Sequence, residues 1–218
     1  MARYRYGKEI HRWLATAYHE AGHAVAILLM GGTLLLVEVT SPASGRASRV
    51  NEWYRLMPLI DIANSRRRMP SELLRLWRDE FWISDAGHVA EAEFNLVSEA
   101  ELSNGSLGDR MSQIALLGMM EEGSFAEVYF SRHFHPWSHL LTEDCRAFFR
   151  IPRIAAMTRT LAEALFRTPH MTGWEVIDTL LANHAVLTGQ FDFFWAPPGD
   201  ETLVRRKPTP PAKQLRLW

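Results

Sequence analysis

Between Lys8 and Met30 the apolar residues Trp13, Leu14, Ala17, Ala21, Ala24, Val25 and Leu28 recur at three- and four-residue steps, which predicts an amphipathic helix. Gly31-Gly32 supplies its end. Thr33 to Thr40 (TLLLVEVT) is rich in strand formers, Ser41-Pro42 and Ser44-Gly45 read as a turn, and Arg46 to Val50 reads as an exposed returning strand, so a small hairpin follows the helix. Residues 51–69, with the basic run Arg66-Arg67-Arg68, show no clear period and read as a loop or short irregular helices. Pro70-Ser71-Glu72 marks a helix start, and Leu73 to Phe94 carries apolar periodicity for one long helix or for two divided at Gly87.

Further on, the glycine-bearing loop 103–108 precedes an apolar helical stretch opened by Asp109 and running through Met120. Residues 121–139 read as another loop. A helical pattern covers Leu141 to Phe166 with a break at Pro152, and a last helix covers Thr172 to His184. From Ala196 to Trp218, prolines 197, 198, 208, 210 and 211 stand among Lys and Arg, a composition that resists helix and sheet. The expected fold is therefore mainly α with a small β-hairpin or sheet element, organised as one domain over 1–195 and a Pro-rich tail over 196–218.

Composition narrows the class. With 218 residues, 47% of them hydrophobic and 22% charged, the chain suits one packed core. A formal net charge of −1 provides no field that would draw it to nucleic acid or an anionic membrane. Cys145 is the single cysteine, so no intrachain disulfide forms, and Met1 to Trp13 holds no apolar run of the signal-peptide kind; a cytoplasmic location is expected. The longest uncharged apolar run, Ala24 to Val37, is too short for a transmembrane segment and is interrupted by glycines. No Gly-x4-Gly-Lys-Ser/Thr phosphate loop is present, so the chain carries no sign of an ATPase.

The chemistry is concentrated in His19-Glu20-Ala21-Gly22-His23. Residues four apart share a helix face, so His19 and His23 can present two imidazoles to one Zn2+, with Glu20 about 100° further round beside them. Zinc brings the pKa of a coordinated water close to neutrality, and a neighbouring carboxylate then serves as general base and afterwards protonates the leaving amine of a peptide. The small residues Ala21, Gly22 and Ala24 let another element approach this face closely. A catalytic zinc takes three protein ligands and an open position. Ala26 and Leu29 stand where the long metzincin signature needs glycine and histidine, which excludes that class. His88, Glu91, Glu93, Asp109 and the cluster His133, His135 and His139 remain as candidates for the third ligand, and spacing does not choose among them.

Three segments in the same order resemble the peptidase domain of the FtsH-type, AAA-linked zinc metalloproteases. Ala17-Tyr18-His19-Glu20-Ala21-Gly22-His23-Ala24 resembles that family's metal helix, Gly87-His88-Val89-Ala90-Glu91 its Gly-Arg-Ala-Ala-Glu segment, and Gly105-Ser106-Leu107-Gly108-Asp109 its Gly-Ala-Ser-Asn-Asp segment. The resemblance covers roughly residues 10–185 and implies a helical zinc-peptidase fold with Asp109 as third ligand. Asp109 also suits a helix N-cap, and Glu91 either orients a ligating histidine or is a solvated helix carboxylate. The family's membrane segments and ATPase module have no counterpart here. The resemblance thus implies a zinc endopeptidase that cuts peptides or already unfolded polypeptides, alone or supplied by a separate unfoldase, and is compatible with a homo-oligomer. A catalytically inactive polypeptide-binding or regulatory protein is the alternative, against which intact Glu20 weighs.

Other features receive plainer readings. The strand Arg46 to Val50 could pair with an extended substrate, or be a hairpin edge blunted by two arginines. His133 to His139 reads as a packed loop, Arg66 to Arg68 as a solvated one, and Phe191-Asp192-Phe193-Phe194-Trp195 as an aromatic plug at the edge of the core.

Overall fold

A computed structural model describes residues 2–50, 53–94, 118 and 120–183. The described chain is mainly helical with a three-stranded antiparallel sheet: α1 (Ala2–Leu29), β1 (Leu34–Ser41), β2 (Ser44–Arg49), α2 (Trp53–Arg66), α3 (Ser71–Glu93), α4 (Phe125–Phe149), α5 (Pro152–Arg167), β3 (His170–Thr172) and α6 (Gly173–Asn183). The stretch opened by Asp109, the 103–108 loop, the aromatic run at 191–195 and the Pro-rich tail fall outside the described residues.

Helix α1 is the central element. Its first half is amphipathic as expected, but Ala24 to Leu29 are buried on every side, because α3, α5 and the sheet enclose them together. A helix apolar all round is what such a central position demands. Gly31, at φ 80°, ends α1: the Gly31 N–H donates to Leu28 and that of Gly32 to Ile27, closing the last turn.

The hairpin forms where expected, with β1 and β2 joined by Pro42-Ala43 and paired through Val37 with Ala47 and Glu38 with Arg46. Leu34, Val37 and Val39 point into the core. The third strand is absent from the sequence reading: three residues of β3 pair with β1 on its other side, Val37 opposite Met171, and so short a strand leaves no alternation to detect. Thr172 and Glu175 form a reciprocal capping box at the start of α6, where the Thr172 N–H and hydroxyl both donate to Glu175 and hold its carboxyl below the usual range.

Two expectations are corrected. Residues 53–66 are a helix, whose buried positions Leu56, Ile60 and Ala63 follow the helical period that Pro58 and the basic run obscured. Residues 125–139 belong to α4 rather than to a loop. Ser124 caps it by accepting from the Glu127 N–H, the side-chain signature of a helix start.

Helices α1 and α3 touch at backbone distance. A Cβ on Gly22 would lie 2.5 Å from the Ala86 carbonyl oxygen and 2.7 Å from the Ala90 methyl. Gly22→Ala is accordingly expected to force the helices apart and to lower the unfolding free energy by about 1–3 kcal/mol. An unchanged chemical-denaturation midpoint would show that the crossing is looser than described.

Candidate metal centre and active-site cleft

His19, Glu20 and His23 lie on α1 where it passes under α3 and β2, and the structure brings Glu91 to them from α3. His19 Nδ1 is 2.9 Å from the Glu91 carboxylate, and His23 Nδ1 is 2.6 Å from the Ile83 carbonyl oxygen. Both partners only accept, so each ring donates through Nδ1–H. In the neutral imidazoles this leaves both Nε2 atoms as acceptors, and they face each other at 3.0 Å. Two lone pairs at that separation repel unless a cation shares them. Two nitrogens on one tetrahedral zinc are about 3.3 Å apart, so the pair fits zinc with a small adjustment of the rings.

Gly87 does not divide α3, which runs unbroken to Glu93. It is instead the point of closest approach: a Cβ at position 87 would overlap the Nε2 atoms of both histidines, so only glycine lets α3 lie against them. One helical turn further, Glu91 reaches back to His19, while Ile83, one turn earlier, meets His23. The Gly87-x3-Glu91 spacing therefore sets a close backbone approach and a carboxylate hydrogen-bonded to His19 one turn apart on α3, and Glu91 is largely shielded rather than solvated.

Glu20 is buried against the hairpin. A Cβ on Gly45 would stand 2.6 Å from its Cγ and Oε1, so β2 crosses over the carboxylate as closely as α3 crosses over the imidazoles. A cleft of about 330 Å³ opens here, lined by His19, Glu20 and His23 on α1, by β2 and by α3. β2 is an edge strand of the sheet, so the hairpin edge borders the cleft.

The other candidate ligands whose side chains are described have partners of their own. Glu93 binds the guanidinium of Arg150 through two hydrogen bonds of 2.8 and 2.9 Å. His88, about 100° round α3 from Gly87, is 3.8 Å from Asp85. His133 donates to the Tyr129 carbonyl within α4, and the side chains of His135 and His139 lie outside the described residues. Cys145 is buried, with its thiol pushed well above the ordinary range by desolvation. Among the described residues no group of three or more His, Cys, Asp or Glu side chains is arranged to hold a metal ion. Two ring nitrogens converge, and Asp109, the position implied for the third ligand, lies outside the described residues.

No family model matches the chain, and no curated protein matches it in sequence. Among the described residues no helix is long and apolar enough to cross a membrane.

Glu91→Ala removes the acceptor that fixes the His19 ring and is expected to weaken zinc binding about 10–100-fold in competition with a chromophoric chelator. Gly87→Ala is expected to weaken it at least as much by driving α3 off the rings. Wild-type affinity in both variants would contradict this arrangement.

Proposed function

We propose that this protein is a zinc-dependent endopeptidase acting on peptides or unfolded polypeptides. The observation that carries the reading is the convergence of two Nε2 acceptors at 3.0 Å, with both Nδ1–H groups committed behind them, in a cleft that also holds Glu20. His19 and His23 would hold the zinc, with Asp109 as the third ligand by resemblance to the FtsH-type peptidases. When bound, zinc supplies Lewis acidity at the scissile carbonyl and to the attacking water.

The remaining roles belong to the chain's own side chains. Glu20 takes the proton of the attacking water and passes it to the departing amine nitrogen, using one carboxylate as base and then as acid. Glu91 and the Ile83 carbonyl hold the imidazoles in the tautomer that makes Nε2 an acceptor. The β2 edge offers backbone hydrogen bonds to an extended substrate lying along the cleft. A binding mode of this kind needs the substrate as a separate strand, which suits flexible polypeptides taken directly or from a separate unfoldase.

The test uses casein as the unfolded substrate. Zinc-loaded wild-type protein is expected to cut it, and Glu20→Gln, with its zinc retained, to be slower by about 10²–10⁴-fold. Equal cleavage by both proteins, or by neither, would overturn the proposal, and peptide binding without cleavage would favour the polypeptide-binding alternative.

A further inference from the structure

His19, His23 and Ile27 succeed one another at four-residue steps on one face of α1, so the cleft extends about 12 Å along the helix from its imidazole end. α3 runs antiparallel above it: Glu91 meets His19, Ile83 meets His23, and Glu80 lines the cleft towards Ile27. At that far end Glu80 forms an ion pair with Arg49 of β2, and the two side chains are only 14% and 19% exposed. Along β2, side chains on one face recur every second residue, so Ala47 stands between Gly45, which covers Glu20, and Arg49. Besides the imidazoles, Glu20 and the ion pair, the cleft is lined by the apolar side chains Ile27, Ala47 and Ile83 and by one small polar residue, Ser84. Arg46, the other cation of the cleft, is exposed and bound 2.6 Å from Glu38 of β1.

We propose that this far end is a specificity pocket for one apolar side chain of the bound polypeptide, and that the Arg49–Glu80 pair closes it and selects against charged side chains. The proposal rests on the reading of the cleft as a polypeptide site. The whole cleft, imidazole end included, measures about 330 Å³, at the small end of ligand cavities, so its far end has room for a single side chain. Arg49 and Glu80 neutralise each other, so a carboxylate or ammonium entering the pocket loses its hydration and finds no unpaired countercharge. Removing one partner leaves the other charge partly buried and able to recruit its opposite from the substrate.

Three peptides identical except for a central Leu, Asp or Lys are titrated by fluorescence anisotropy against the full-length, zinc-loaded Glu20→Gln protein, with and without second substitutions. With the ion pair intact the Leu peptide is expected to bind at least about tenfold more tightly than the other two. Glu80→Gln should improve the Asp peptide about tenfold, Arg49→Gln the Lys peptide by a similar factor, and the swap R49E/E80R should restore the Leu preference. Ile83→Ala keeps both the ion pair and the backbone carbonyl, and should shift preference from a Leu to a Phe peptide by about tenfold, which keeps the pocket testable if a charge variant does not fold. One unaltered ranking across these proteins, or failure of every peptide to bind, overturns the pocket. Cleavage of the same peptides by the Glu20-containing protein separates the two readings: shifted rankings without any cleavage support the pocket and overturn the peptidase, and cleavage with unshifted rankings does the reverse.

Discussion

The crossing of α1 and α3 at backbone distance is the constraint from which the site follows. Gly22 permits the contact on one helix and Gly87 on the other, and neither position has room for a Cβ. Because the helices are that close, a carboxylate from one reaches the imidazole of the other directly, and a main-chain carbonyl at Ile83 can serve as a hydrogen-bond acceptor for a side chain. An ordinary helix pair with axes 8–10 Å apart separated by large side chains would leave those acceptors out of reach. Close packing and ring orientation are here one feature.

The hairpin supplies the complementary constraint. Gly45 lets β2 cover Glu20, and the same strand then carries Ala47 and Arg49 along the cleft to Glu80. On the proposed function, a carboxylate buried beneath a strand edge faces the place where an extended chain would lie. The Arg49–Glu80 pair ties the two walls together at the end away from the imidazoles, so the dimensions of the cleft depend on a polar contact as well as on the core. The short strand β3 and the Thr172–Glu175 capping box hold β1 from its other side and support the hairpin from behind.

Much of this was legible in the sequence. The four-residue spacing of His19 and His23 with Glu20 between them, the helix end at Gly31-Gly32 and the β1–β2 hairpin each follow from a local period or a turn residue. Glu91 was legible as one of several candidate ligands and through the resemblance, but not as the partner of His19, which is 72 positions away, a distance no local pattern encodes. Whether Gly87 divides its helix stayed open in the sequence, since a glycine that allows close packing and one that ends a helix look alike until the neighbouring element is known. The Arg49–Glu80 pair, between a strand and a helix distant in sequence, left no signal at all. Helices α2 and α4 were legible in principle, through the Leu56, Ile60, Ala63 period and the Ser124–Glu127 capping pattern, but prolines and clustered basic or histidine residues masked them.

The proposed function stands on His19 and His23 presenting Nε2 to one metal ion. Zinc K-edge X-ray absorption of the zinc-loaded full-length chain tests this most directly. Two imidazole nitrogens completed by oxygen donors, with an oxygen lost in Asp109→Ala and the imidazole signal lost in His23→Ala, is the predicted result. A sulfur-containing or all-oxygen shell, or a spectrum that His23→Ala leaves unchanged, would contradict it.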